Sequence, residues 1–283
     1  MSIKTIIMPF ASQEDGKHRL EGALNVAQFF SAHLDVLHAQ VGAEKLMPSE
    51  KRLISRKFYD QIDKIVRDYV NDDMSQAKQS FEHLCQKFGI DEHQSDSQQT
   101  SAKWHDIFGY RGEIVAERGK VSDLIIIPQS LNGQTSVSFE AAVSHGGKPI
   151  LIMPRQQTHF SPETVMIAWN GDKPAANAVS SALPLLREAK QVVVATSEKY
   201  LHNKPTQEDL ARYLAWHNID VECITFTHKS RNTGSQLLEV ASEINADVLV
   251  SGAFAHQKLH QKVFGGVTQK LLTRAKIPLW MMS

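Results

Sequence analysis

Two α/β units in tandem, each a doubly wound parallel sheet of five strands, are the fold class this sequence predicts. Three observations carry it. Short apolar, β-branched runs alternate with segments of helical period along the chain. The alternation completes a set of strands by about Met153 and starts again with "PETVMIAWN". The halves also answer each other in letters, "SDLIIIP" to "ADVLVSG" and "HGGKPILIMP" to "TRAKIPLWMM". A tandem duplication explains that echo better than chance does.

Taken in order, "SIKTIIMPF" is a strand and "DGKHRLEGALNVAQFFSAHL" a helix. "LDVLHAQVG" is a second strand, followed by a charged segment of helical period from about Pro48 to Phe88. There Phe58, Ile62, Ile65, Val66 and Tyr69 form an apolar stripe, read as core. "SAKWHDIFG" is the third strand, and "GEIVAERGKVSDLIIIP" a helix feeding an apolar strand that suits burial on both faces. "FEAAVSHGGKPILIMP" adds a helix and the fifth strand.

The second series runs "PETVMIAWN", "DKPAANAVSSALPLLREA", "KQVVVATSE", "TQEDLARYLAWHN", "IDVECITFT", "GSQLLEVASEIN", "ADVLVSG", "GGVTQKLLTRA" and "KIPLWMM", strand and helix in turn. The polar stretch "RQQTHFSPE" marks the boundary, giving domains over 1–154 and 163–283. Right-handed crossovers then place each sheet's ligand position beyond the carboxyl ends of its strands.

Lys plus Arg (31) balances Asp plus Glu (31), so no global field favours nucleic acid or an anionic membrane. The two cysteines, Cys85 and Cys223, form no metal-site spacing, and Cys223 in the alternating run "DVECITF" reads as a small buried hydrophobe. No signal peptide and no membrane-spanning run is present, so a reduced, cytoplasmic setting is expected. Catalysis is not expected: there is no G-x-S-x-G elbow and no Walker pattern.

"VMIAWNGDKPAANAVSSALPLL" and "ADVLVSGAFAHQKLHQKVFGGVTQKLLTRAKIPLWMM" resemble the universal stress protein family, and the resemblance extends over nearly the whole chain in tandem form. It implies two pseudo-twofold-related domains of the adenine nucleotide alpha hydrolase-like fold. It also implies a regulatory or protective role, with ATP or another adenine nucleotide as ligand and magnesium only alongside it. In nucleotide-binding members, the loop after strand four runs Gly, two residues, Gly, nine residues, Gly, then Ser or Thr. Here Gly252 and Gly265 match, whereas Ala255 and Gly266 stand where Gly and a hydroxyl residue are expected.

The ligand-binding set that the resemblance implies is Asn170, Gly171, Thr196, Gly252, Ala255, Gly265, Gly266, Val267 and Thr268. Asn170 takes the place of an Asp that approaches the nucleoside, and Thr196 lies where backbone meets adenine. Losing the hydroxyl at Gly266 costs about 1.5 to 3 kcal/mol, so weak binding or none is expected. The first half offers only Gly133, Ser136 and Ser138, with Asp15 and Gly16 late in its first loop, and is not expected to bind.

His256 and His260 are four apart, but no third ligand stands at metal-site spacing, so a metal is not expected. With Lys258 and Lys262 they make either a basic lid over phosphates or a solvated loop. Trp169 either stacks on a base or packs beneath the next helix, and packing is favoured. The family commonly joins halves through the fifth strands, so self-association through "KPILIMP" and "KIPLWMM" is expected. The alternative function is a nucleotide-free scaffold for protein partners.

Overall fold

The structure of the protein, a computed structural model, describes residues 2–11, 14–40, 75–92, 99–130, 134–227, 233–253 and 266–283. The first half runs β1 (Thr5–Phe10), α1 (Gly16–Phe30), β2 (His33–Gln40), α2 (75–88), β3 (Ser101–Phe108) and α3 (Arg111–Arg118). It closes with β4 (Leu124–Pro128), α4 (Val137–Ala141, continued as a π-helical turn over Ala142–Gly146) and β5 (Ile150–Met153). The second half repeats the alternation with β6 (Thr164–Trp169), α5 (Lys173–Glu188), β7 (Gln191–Ser197), α6 (Gln207–Ala215) and β8 (Glu222–Phe226). It ends in α7 (Thr233–Glu243), β9 (Val248–Gly252), α8 (Gly266–Arg274) and β10 (Leu279–Met282). The apolar stripe from Phe58 to Tyr69 lies outside the described residues.

All ten strands join one sheet in the order β3-β2-β1-β4-β5-β10-β9-β6-β7-β8. Every pairing is parallel except the central one. There β5 and β10 run antiparallel, with Trp280 opposite Leu151 and Met281 opposite Ile150. The fifth strands therefore meet within the chain, and neither presents a free edge to a second copy. Trp280 is wholly buried at this seam, with its indole N–H donating to Ser181 Oγ at 2.9 Å.

The echo between "SDLIIIP" and "ADVLVSG" has a structural cause. Asp123 and Asp247 each precede a fourth strand and clamp the start of the first strand beside it. Asp123 Oδ2 accepts from the N–H groups of Lys4 and Thr5, both at 2.9 Å. Asp247 Oδ2 accepts from those of Glu163 and Thr164, both at 2.8 Å. A carboxylate satisfying two strand-end donors fixes register at the carboxylate's end of the sheet, leaving the loops at the other end free for function.

Cys223 corrects the sequence reading, for it is exposed. Alternation buries a residue only where layers cover both faces, and β8 is the outermost strand of its side. Cys85 is buried instead, its thiol pushed up to about 12 by burial, with Glu92 and Glu82 adding to the effect.

Candidate ligand clefts at the strand ends

In an open α/β sheet, the crevice for a ligand opens where successive helices leave for opposite faces. β6 and β9 are neighbours at that point in the second half, as are β1 and β4 in the first.

The second-half loop after β6 is held by its own side chains. Asn170 Nδ2 donates to Asp172 Oδ2 at 2.8 Å, and Asn170 Oδ1 accepts from the Asp172 N–H at 3.1 Å. The amide expected to meet a nucleoside is thus engaged within its loop. Gly171 has φ +79°, and a Cβ there would stand 3.1 Å from the Pro205 carbonyl. Asn203 donates to the Asn170 carbonyl and the Trp169 indole donates to Pro205 O, so the segment before α6 roofs this loop. Trp169 is core, 5% exposed.

Gly252, which the sequence reading placed beside phosphate, also meets a packing need. A Cβ on it would lie 2.6 Å from Ala175 N and 2.7 Å from Pro174 C, so the bare backbone is what lets β9 touch the start of α5. At Gly266, the first residue of α8, a Cβ would meet nothing among the described residues within 4 Å. Val267 beside it is exposed and Thr268 buried. The expected Ala255 and Gly265, with His256, Lys258, His260 and Lys262, lie outside the described residues.

Thr196 pairs in register with Trp169, so Asn170, Gly171 and Thr196 meet at adjoining strand ends, with Gly252 reaching the first turn of α5. Thr196 is 2% exposed and its hydroxyl has no hydrogen-bond partner. The sequence reading missed that Ser197 Oγ, Ser251 Oγ and Gln236 Oε1 are likewise buried and unpartnered. Such a group costs about 1 to 3 kcal/mol each when nothing meets it. Their signal in sequence is weak: a Ser ending each of the apolar runs "VVVATS" and "DVLVS".

The first-half cleft is filled by protein charge. Asp15 Oδ1 pairs with Arg19 Nε at 3.0 Å, and Asp15 Oδ2 with Arg155 Nη1 at 2.6 Å. Arg19 Nη2 donates to the Ala11 carbonyl at 2.5 Å, and Arg155 Nε to the Gln129 carbonyl at 2.7 Å. Burial lowers the pKa of the Arg19 guanidinium, with Asp15 opposing the shift. The loops after β1 and β4 are thereby tied together by the residues that a ligand would have to displace. Gly133 lies outside the described residues; Ser136 caps α4 by accepting from the Phe139 N–H, and Ser138 is buried.

A cavity of about 610 Å³ lies elsewhere, lined by Ser235, Asn245, Arg274 and Lys276 among others. It opens before β9 and β10, at the opposite end of the sheet from the clefts. Among the described residues no cluster of three His, Cys, Asp or Glu fits a metal, and no helix is long and apolar enough to cross a membrane.

A mostly parallel sheet with helices alternating between its strands, and a crevice at the strand ends of each half, defines a doubly wound α/β protein of two repeats. Residues 172–283 match the universal stress protein family. Over those residues the chain is similar to that family, and its first half repeats the fold. The whole chain superposes on a universal stress protein from Archaeoglobus fulgidus DSM 4304 with TM-score 0.69 at 13% identity, covering 100% of this chain and 97% of that one. A functionally unknown protein from Pseudomonas aeruginosa PAO1 gives TM-score 0.56 at 14% identity, covering 99% and 92%. At such identities the likeness is one of fold. No curated protein matches the chain in sequence.

Proposed function

We propose that the protein is a non-catalytic, cytoplasmic stress-response module of two domains, 1–154 and 163–283, whose second domain holds an adenine nucleotide weakly. The contrast between the clefts carries this reading. Asp15, Arg19 and Arg155 tie the first together, whereas the second carries strand-end hydroxyls with no hydrogen-bond partner among the described residues. The N-terminal N–H groups of α8 supply donors for an anion, with no hydroxyl at Gly266 to strengthen the grip. Magnesium enters only with the nucleotide.

A ligand that binds only the folded state raises its stability. For a dissociation constant of about 1 mM, 10 mM ATP with magnesium adds about 1.4 kcal/mol, roughly 3 °C in melting temperature. Gly266→Asp places a negative charge at the anion end of α8 and removes the shift.

The tied amide of Asn170 and the roof over Gly171 favour a second reading, a nucleotide-free scaffold for protein partners. An unchanged melting temperature at 10 mM ATP, in both native and Gly266→Asp protein, would decide for it.

A further inference from the structure

Within the second-half cleft, the two sheet faces differ in what they offer. Thr196 shares its face with Trp169, Val194 and Val250, under the packed start of α5. On the other face, Ala168 and Ala195 are paired neighbours in register, with Ser251 on the β9 side, Ser197 one row nearer the strand ends, and Gln236 reaching in from α7. Two alanines leave a shallow floor where larger side chains would fill the layer. Ala168 is only half-buried although it lies in an interior strand.

Around that floor stand three polar side chains more than nine-tenths buried: Ser197 at 2% exposure, Ser251 at 5% and Gln236 at 7%. Ser197 Oγ, Ser251 Oγ and Gln236 Oε1 have no partner among the described residues. Gln236 is not free to turn, because its Nε2 donates to the Thr227 carbonyl at 2.8 Å and fixes Oε1 as an acceptor. The two hydroxyls flank β6, two strand spacings across and one same-face row along, and so stand about 12 Å apart. Together they present two groups able to donate or accept and one acceptor, at the span of a fused heteroaromatic ring with its sugar.

We infer that Ser197, Ser251 and Gln236 recognise the uncharged, heteroaromatic part of the ligand through side chains, so that a nucleoside without phosphates is a ligand in its own right. This rests on the reading that the second-half cleft takes an adenine-class ligand. It adds which groups select it and makes the phosphate chain dispensable. Binding relieves the three unpartnered groups together, whereas inorganic phosphate, an acceptor for a hydroxyl, is too small to span them.

The test is calorimetry and thermal shift on the full chain with adenosine, with ATP and magnesium, and with inorganic phosphate. Adenosine binds within about tenfold of ATP, and phosphate alone gives no shift. Ser251→Ala and Ser197→Ala each weaken adenosine about tenfold, the loss of one hydrogen bond. Neither lowers the melting temperature of the ligand-free protein, which a purely structural serine would do. Gln236→Glu serves as the second probe, because it keeps the side chain's size, and it too weakens adenosine. ATP binding without adenosine binding, or adenosine binding indifferent to all three substitutions, overturns the inference and leaves the nucleotide reading standing. Failure of both ligands overturns the two together.

Discussion

The two clefts of this molecule sit at equivalent points of one repeated fold and have been finished in opposite ways. In the first, Asp15 receives Arg19 and Arg155, so the polar ends of two loops satisfy one another. In the second, Thr196, Ser197 and Ser251 stand near their strand ends with hydroxyls that meet no partner among the described residues. A repeated architecture fixes where a site can be, and the side chains at the strand ends decide whether the protein fills it. Duplication lets the two copies finish the same position differently.

The largest effect expected is from opening the closed cleft. Asp15→Ala leaves Arg19, whose side chain is 4% exposed, buried without its carboxylate. Denaturant unfolding should show a loss of about 3 to 5 kcal/mol, as for other broken buried pairs. A loss below about 1 kcal/mol would show that solvent already reaches this cleft.

Next comes Gly252→Ala, which drives a Cβ into the backbone of Pro174 and Ala175. About 1 to 3 kcal/mol is expected from overpacking, with no ligand needed to see it. If stability is unchanged and only ligand binding falls, the glycine serves phosphate and the packing account is wrong.

The shared clamp gives a sharper comparison between halves. Asp123→Ala and Asp247→Ala should cost about 2 kcal/mol each, since each frees two strand-end N–H groups from a carboxylate. Unequal costs would mean that the halves differ at the base of the sheet as well as at its clefts.

The smallest effect is a pH dependence confined to the first half. Burial pushes the Asp35 carboxyl up, but hydrogen bonds from His33 and His105, with their charge, outweigh it and hold the pKa below the ordinary carboxylate range. A lowered folded pKa means stability present above the unfolded value and lost as pH falls through the folded one. Melting temperature should therefore fall from about pH 4 downward, and less steeply in Asp35→Asn. Parallel acid profiles for the two proteins would remove Asp35 from the account.

Strand and helix order was legible because parallel strands covered on both faces must be apolar runs, and "DLIIIP" or "VVVAT" admit few other readings. The aspartate before each fourth strand was visible as a repeated letter, but its partners at Thr5 and Thr164 were not, since they come from a different part of the chain. The same limit hid the Asp15 pairing with Arg155, 140 residues away. The packing need at Gly252 was hidden because a glycine looks alike whether a phosphate or a backbone approaches it. Cys223 was misplaced because alternation shows which face a residue takes, not whether a further layer covers that face.

The antiparallel seam has a consequence for assembly. Because β5 and β10 are paired along their length, the described sheet ends only at β3 and β8, about 43 Å apart by nine strand spacings. The margins are unlike in character: β3 ends in the exposed Phe108, and β8 carries the exposed Glu222 and Cys223. Contact of like margin with like closes on itself as a twofold pair, whereas β3 meeting β8 repeats without end and builds a ribbon. A molecule that has joined its own halves thus stays finite only if its two outer rims do not recognise each other.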